Sequence, residues 1–157
     1  YETWYEIFME NQAVKRKMGT KMLERSHRLI SDKHRYIAEI DSHQSLIHCD
    51  FRPANMLVDE ADQVWVVDWE GACWGHFLAD IGQFFRYRNL FHDTDVTVFE
   101  ETYNTHATRK LPEDWFELSR FRDLVNPLQL LSTEQETPTR DADLLRIVED
   151  TLQHWGY

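Results

Sequence analysis

The chain has 157 residues, 42% apolar, 29% charged and 13% aromatic, a composition that excludes collagen-like, coiled-coil and disordered chains. A chain of about 150 residues buries roughly 68–70% of its unfolded surface without help from staples, and the two cysteines, Cys49 and Cys73, lack zinc-site spacing and are expected as free thiols. The net charge of −11 is lopsided, residues 1–47 summing to +1 and residues 48–157 to −12; such a field disfavours nucleic-acid backbones and anionic lipids and favours cationic ligands or metal ions.

From Trp4 to about Ile30 the residues Trp4, Ile7, Phe8, Val14, Met18, Met22, Leu23 and Leu29 recur at spacings near three and four, with Gly19 as the one glycine. That pattern predicts a long amphipathic helix broken near Gly19. Ser31 or Asp32 is the expected cap of a shorter helix running to about Ile40. Three brief apolar runs follow: Leu46-Ile47, Met56-Leu57-Val58 and Val64-Trp65-Val66-Val67. Asp59-Glu60-Ala61-Asp62 separates the last two and predicts a hairpin of short strands. His48 to Asn55, interrupted by Pro53, is a loop between the first two runs. After Gly75 the helical period returns, with Phe77, Leu78, Ile81, Phe84 and Phe85 on one face and Asp80 among them. Further helices are expected from Val96 to about Ala107, from Asp114 to about Leu131 after Pro112, and from about Thr139 to Trp155 after Pro138. No repeat or linker interrupts residues 1–157, which read as a single α+β unit, mainly helical, whose small antiparallel hairpin carries polar loops.

Those loops hold the chemistry. Asp50, Asn55, Asp68 and Glu70 stand at the ends of short strands that are expected to be buried, and loops on rigid strands are where catalytic groups usually sit. An Asp and an Asn five positions apart, with a second Asp at the end of a hairpin, offer the hard oxygen ligands that Mg²⁺ prefers. One further carboxylate is left to accept a proton, and the open coordination positions suit substrate phosphates. Phosphoryl transfer is the reaction these parts fit.

His48-x-Asp50-x-x-x-x-Asn55, then Val67-Asp68-Trp69-Glu70, then Gly75 with Asp80 five further on, resembles the catalytic half of the aminoglycoside phosphotransferase and choline kinase family, relatives of the protein kinases. The pattern covers about residues 35 to 90, and the C-terminal helices agree in type. The resemblance implies a protein-kinase-like C-terminal lobe whose hairpin carries the catalytic and metal loops. It implies that Asp50 orients the acceptor hydroxyl and takes its proton, and that Asn55 and Asp68 hold Mg²⁺ on the phosphates of ATP. His48 then supports the loop, and Asp80 is the buried carboxylate that accepts the loop's backbone N–H groups. Arg52 either approaches the transferred phosphate or makes a surface ion pair; Glu70 either assists through water or makes a structural hydrogen bond. Cys49 stands where family members usually have Gly, a replacement tolerable at negative φ.

The resemblance also implies a strand-rich nucleotide-binding lobe with a flexible phosphate-covering loop and a strand lysine. Gly19, Gly71, Gly75, Gly82 and Gly156 form no GxGxxG pattern. With Tyr1 opening directly into a helical pattern, the expectation is the C-terminal lobe of a longer kinase, its N-terminal lobe absent and the isolated chain nearly inactive. No stretch approaches the ~20 apolar residues of a membrane span and no basic-then-apolar leader is seen, so a cytoplasmic protein without membrane or nucleic-acid partners is expected.

The other histidines, His27, His34, His43, His76, His92, His106 and His154, are expected on the surface or as caps. Trp65, Trp74, Phe84, Phe85, Trp115, Phe116 and Phe121 are expected mainly in the core, with some left to line an acceptor pocket. Asp93, Asp95, Glu100, Glu101, Glu113, Asp114, Glu117 and Asp123 either rim a cleft for an amine-bearing substrate or form a solvated face. The expected function is transfer of the ATP γ-phosphoryl group, with Mg²⁺, to a hydroxyl of a small-molecule acceptor, an aminoglycoside, choline or ethanolamine, an amino alcohol, a thiamine-like compound or another sugar, with the negative charge leaning toward amines. The alternatives are a catalytically inactive kinase-like binding domain and an all-helical interaction domain whose motif is accidental.

Overall fold

The computed structural model describes residues 2–41 and 44–157; His43 lies outside them. The first apolar stretch folds as two helices, α1 (Glu2–Glu10) and α2 (Gln12–Asp32). They part at Asn11, whose side-chain oxygen accepts the N–H groups of Ala13 at 2.8 Å and Val14 at 3.3 Å, an N-cap that the apolar spacing had hidden. The break at Gly19 is present, with φ 69° and ψ 163° inside α2. Ser31 and Asp32 are not caps. They form the last turn of α2, closed by the Lys33 N–H on the Leu29 carbonyl at 3.0 Å, and α3 (His34–Asp41) follows directly.

Four three-residue strands come next: β1 (Ser45–Ile47), β2 (Met56–Val58), β3 (Val64–Val66) and β4 (Cys73–Gly75). β2 and β3 form the predicted hairpin, with Met56 opposite Val66 and Val58 opposite Val64. Asp59 shapes its turn by accepting the N–H groups of Ala61 and Gln63 at 2.9 and 3.0 Å. The second antiparallel pair, β1 with β4, sets Ser45 opposite Gly75 and Ile47 opposite Cys73. It brackets the hairpin and both polar loops between its strands. The strands are not buried as expected. Trp65 and Trp74, assigned above to the core, are 58% and 72% exposed, and Leu46, Leu57, Val58 and Val64 are exposed with them; Leu57 and Val58 point to opposite faces of the β2–β3 ribbon, so neither face is covered there by the described residues.

The remaining helices are α4 (Leu78–Phe84), α5 (Asp93–His106), α6 (Trp115–Asp123), α7 (Val125–Leu131) and α8 (Pro138–His154). α5 starts three residues before Val96 because the Asp95 carboxylate accepts the His92 N–H at 2.7 Å. The single helix expected from Asp114 to Leu131 is divided at Leu124, since Pro127 has no N–H to offer the Asp123 carbonyl one turn back.

Two apolar cores result. One joins Tyr5, Met9, Val14, Leu29, Phe121, Leu128 and Val148 from α1, α2, α6, α7 and α8. The other joins Leu78, Ile81 and Phe85 to Leu111, Trp115 and Leu118. Here α4 lies so close on α6 that a β-carbon at Gly82 would sit 2.3 Å from the Ser119 carbonyl oxygen. Arg25 pairs with Glu149 at 2.6 Å and Lys17 with Asp141 at 3.0 Å, tying α2 to α8. Among the described residues no helix is long and apolar enough to cross a membrane.

Candidate active site

Ile47, 2% exposed, ends β1 inside the protein and delivers His48, also buried, to the head of the polar loop. The His48 Nδ1 accepts the Asp50 N–H at 3.3 Å, so Nε2 carries the ring hydrogen and donates it to the Val67 carbonyl at 2.8 Å. The Asp80 carboxylate on α4 accepts the N–H of His48 on Oδ2 at 2.8 Å and that of Cys49 on Oδ1 at 3.0 Å. Burial pushes the Asp80 carboxyl above its ordinary range, and the two N–H donors pull against that shift. Gln83, one turn beyond Asp80, donates Nε2–H to the Cys49 carbonyl at 2.8 Å. It was absent from the sequence reading; its i+3 spacing from Asp80 was the available signal.

The Asp50 carboxylate is about half exposed, and its Oδ2 accepts from Asn55 Nδ2 at 2.8 Å and from Arg52 at 3.0–3.1 Å. Asn55 Nδ2 also donates to the Asp50 carbonyl at 2.8 Å, folding the loop back on itself. The turn Pro53–Asn55 suits this, since proline at its first position fixes φ and needs no donor. The Val67 N–H then donates to the Asn55 carbonyl at 3.0 Å. Val67 is therefore held at both ends of the loop, by His48 and by Asn55, and the next residue is Asp68. Asp68 is exposed, with φ 68° and ψ 51° in the left-handed region, and starts the turn Trp69–Gly71.

Neither the Asp68 carboxylate nor the Asn55 side-chain oxygen accepts a hydrogen bond among the described residues. Two hard oxygen donors without partners, beside a carboxylate held by one of them, are a donor set that fits a magnesium ion with open positions for phosphate. Among the described residues no cluster of three or more His, Cys, Asp or Glu side chains could hold a metal. Glu70 is exposed and makes no hydrogen bond among the described residues. Arg52 makes the ion pair, with Asp50 as its partner.

Cys49 corrects one expectation. Its φ is +67°, not negative, so Cys49 holds the left-handed conformation that glycine adopts without steric cost. Its sulfur lies 3.1 Å from that of Cys73, both residues being free thiols. Burial first, and then the neighbouring Cys73 thiol, push the Cys49 thiol up to about 12.

Beside the loop, α4, the turn Arg88–Leu90 and α5 enclose a groove of about 1030 Å³ walled by Phe84, Phe85, Phe91, Phe99 and Tyr103, with Asp95 on its rim. A cavity of about 60 Å³ lined by Arg52, Pro53, Phe84 and Phe91 lies between groove and loop. The Phe51 ring, next to Asp50, lies 5.8 Å from that of Phe84. Of the eight acidic residues considered for a rim, Asp95 is the one that lines this groove. Asp93 pairs with Arg88, and Asp123 is buried against Arg86 at 2.6 Å. His76 is buried rather than exposed, but its Nδ1 accepts the Leu78 N–H at 3.3 Å, a capping contact.

A family model described as the phosphotransferase enzyme family matches residues 5–124. No curated protein and no solved structure gives a match.

Proposed function

The chain belongs to the phosphotransferase enzyme family, and from that premise we propose that it is the protein-kinase-like catalytic lobe of a small-molecule kinase, moving the γ-phosphoryl group of ATP to a hydroxyl of an amine-bearing alcohol. The observation that carries this reading is the closed loop in which Asn55 holds Asp50 while Val67 stitches Asp68 to both loop ends.

Asp50 orients the acceptor hydroxyl and takes its proton on Oδ1, because Oδ2 is already occupied by Asn55 and Arg52. Asn55 Oδ1 and the Asp68 carboxylate would hold Mg²⁺. When bound, the ion neutralises charge on the nucleotide phosphates. Asp80 and Gln83 keep the loop in place without touching substrate. Arg52, half exposed at the loop, supports charge on the transferred group with its guanidinium. The acceptor lies in the aromatic groove, where ring faces and the Asp95 carboxylate suit an ammonium group borne on an apolar body. The exposed apolar face of the two ribbons, with Trp65 and Trp74, receives a separate nucleotide-binding lobe, and catalysis is cytoplasmic.

The metal assignment is tested by titrating Mn²⁺ with ATP into the protein and following backbone amide resonances. Broadening centred on Asn55 and Asp68, abolished in Asp68→Ala, is expected. Broadening elsewhere, or unchanged in that variant, overturns the assignment. ATP consumption with amino alcohols against neutral alcohols of equal size then tests the acceptor class.

A further inference from the structure

The phosphotransfer reading leaves the two cysteines without a part, and their placement is independent of it. Cys49 is a side-chain-bearing residue in the left-handed region, a conformation that glycine takes more readily. At that position its sulfur meets the chain's one other cysteine at 3.1 Å. The contact is not local: Cys73 belongs to β4, where it pairs with Ile47, the last residue of β1 and two positions before Cys49. Gly71 leaves room there, since even a β-carbon on it would stand 3.7 Å from that of Cys49. The backbone of Cys49 is fixed on both sides, its N–H on Asp80 and its carbonyl on Gln83. The loop backbone at Cys49 is therefore already set where its sulfur meets that of Cys73.

Cys73 is exposed and Cys49 partly buried, which orders their reactions. From this geometry we propose that Cys49 and Cys73 are a thiol-modification site that a hydroperoxide converts to an internal disulfide and a small dithiol restores. In the first step the Cys73 sulfur takes the terminal oxygen of the hydroperoxide, the O–O bond breaks, and the sulfenic acid forms with release of water or an alcohol. In the second the Cys49 sulfur displaces the hydroxyl of that sulfenic acid; the S–S bond forms, the S–O bond breaks, and the Cys49 proton leaves with the hydroxyl as water. Across both steps the thiols lose two electrons and the peroxide gains them. The raised proton affinity of Cys49 is consistent with its coming second. The bridge joins the residue before Asp50 to the strand that follows Asp68, closing one covalent ring around both polar loops.

The test is hydrogen peroxide added to the reduced, folded protein, read by intact mass and thiol titration. Loss of the two thiol hydrogens, a proteolytic fragment linking Cys49 to Cys73, and full recovery with dithiothreitol are expected. The folded protein should form the bridge at least about tenfold faster than the same chain in urea, because the fold presents the sulfurs to each other. In Cys49→Gly, which suits the left-handed backbone, Cys73 should accumulate as a sulfenic acid trapped by dimedone. Disulfide dimers between chains, oxidation of Cys73 to the sulfinic acid with Cys49 still free, or equal rates in buffer and urea would each overturn the proposal.

Discussion

The Asp50 carboxylate is held by a neutral amide and an arginine rather than by a buried cation, so its replacement should affect chemistry far more than folding. Asp50→Asn keeps an oxygen for Asn55 to bond, and the side chain is half exposed. We expect an unchanged thermal midpoint and a loss of about 10²–10⁴-fold in kcat, measured by nucleotide-dependent phosphorylation in the intact enzyme. Cys49 gives a prediction of the opposite kind. Cys49→Gly relieves about 1–2 kcal/mol of left-handed strain and loses about 0.4–1 kcal/mol through the freer unfolded chain. In reducing buffer the variant should be slightly more stable in urea titration, and a clear loss of stability would mean that the Cys73 contact outweighs the strain. The spacing of His48, Asp50, Asn55 and Asp80 was visible in the sequence because each needs a particular polar type at a fixed offset, and the structure brings these four together. Gln83 was not, since a glutamine on a helix is an ordinary surface residue until its partner's carbonyl is located.

At the scale of elements, local signals were legible and distant ones were not. The β2–β3 hairpin follows from two apolar runs flanking a turn, a short-range pattern, whereas the β1–β4 pair joins residues thirty positions apart through strands of three residues. Its register depends on what lies between and cannot be read from either strand. The divided helices show the same limit: Gly19 announces its break, but Asn11 acts through side-chain bonds that compete with helical spacing. The contact between α4 and α6 is equally invisible in one sequence, yet it backs the helix that holds the candidate loop. Gly82→Ala would place a β-carbon 2.3 Å from the Ser119 oxygen and 2.9 Å from the Asp123 β-carbon. Since backbone must move, we expect a loss of at least about 2 kcal/mol, measured by chemical denaturation. The Asp80 and Gln83 bonds to the loop should loosen with it, seen as faster amide exchange at His48 and Cys49.

Over the whole molecule, charge pairs close the helical frame. Arg25, with Gln153, holds the Glu149 carboxyl below its ordinary range, and Arg146 with Tyr87 does the same for Asp143. For Asp141, burial pushes upward but Lys17 and the Thr137 N–H prevail and lower it. Carboxyls depressed in the folded state add stability that is complete above their unfolded values, about 4, and lost as pH falls through the folded ones. Asp80 has the opposite sign, its raised carboxyl binding a proton more readily folded than unfolded. Glu10 beside Lys15 and Asp59 in its turn are lowered as well, and five lowered carboxyls against one raised predict a net fall in thermal midpoint below about pH 4. Arg25→Met should flatten that fall, as followed by circular dichroism against pH.

Helix α4 has only seven residues, and it faces two ways. Asp80 and Gln83 grip the loop by its backbone, while Phe84 and the adjoining Phe85 wall the groove. Whatever settles among those rings is thus referenced to the Asp50 carboxylate through a single rigid strut rather than through flexible chain. On the proposed reading the strut acts as a gauge: an acceptor too bulky for the groove is not accommodated by the loop shifting on its own, and its hydroxyl arrives out of reach.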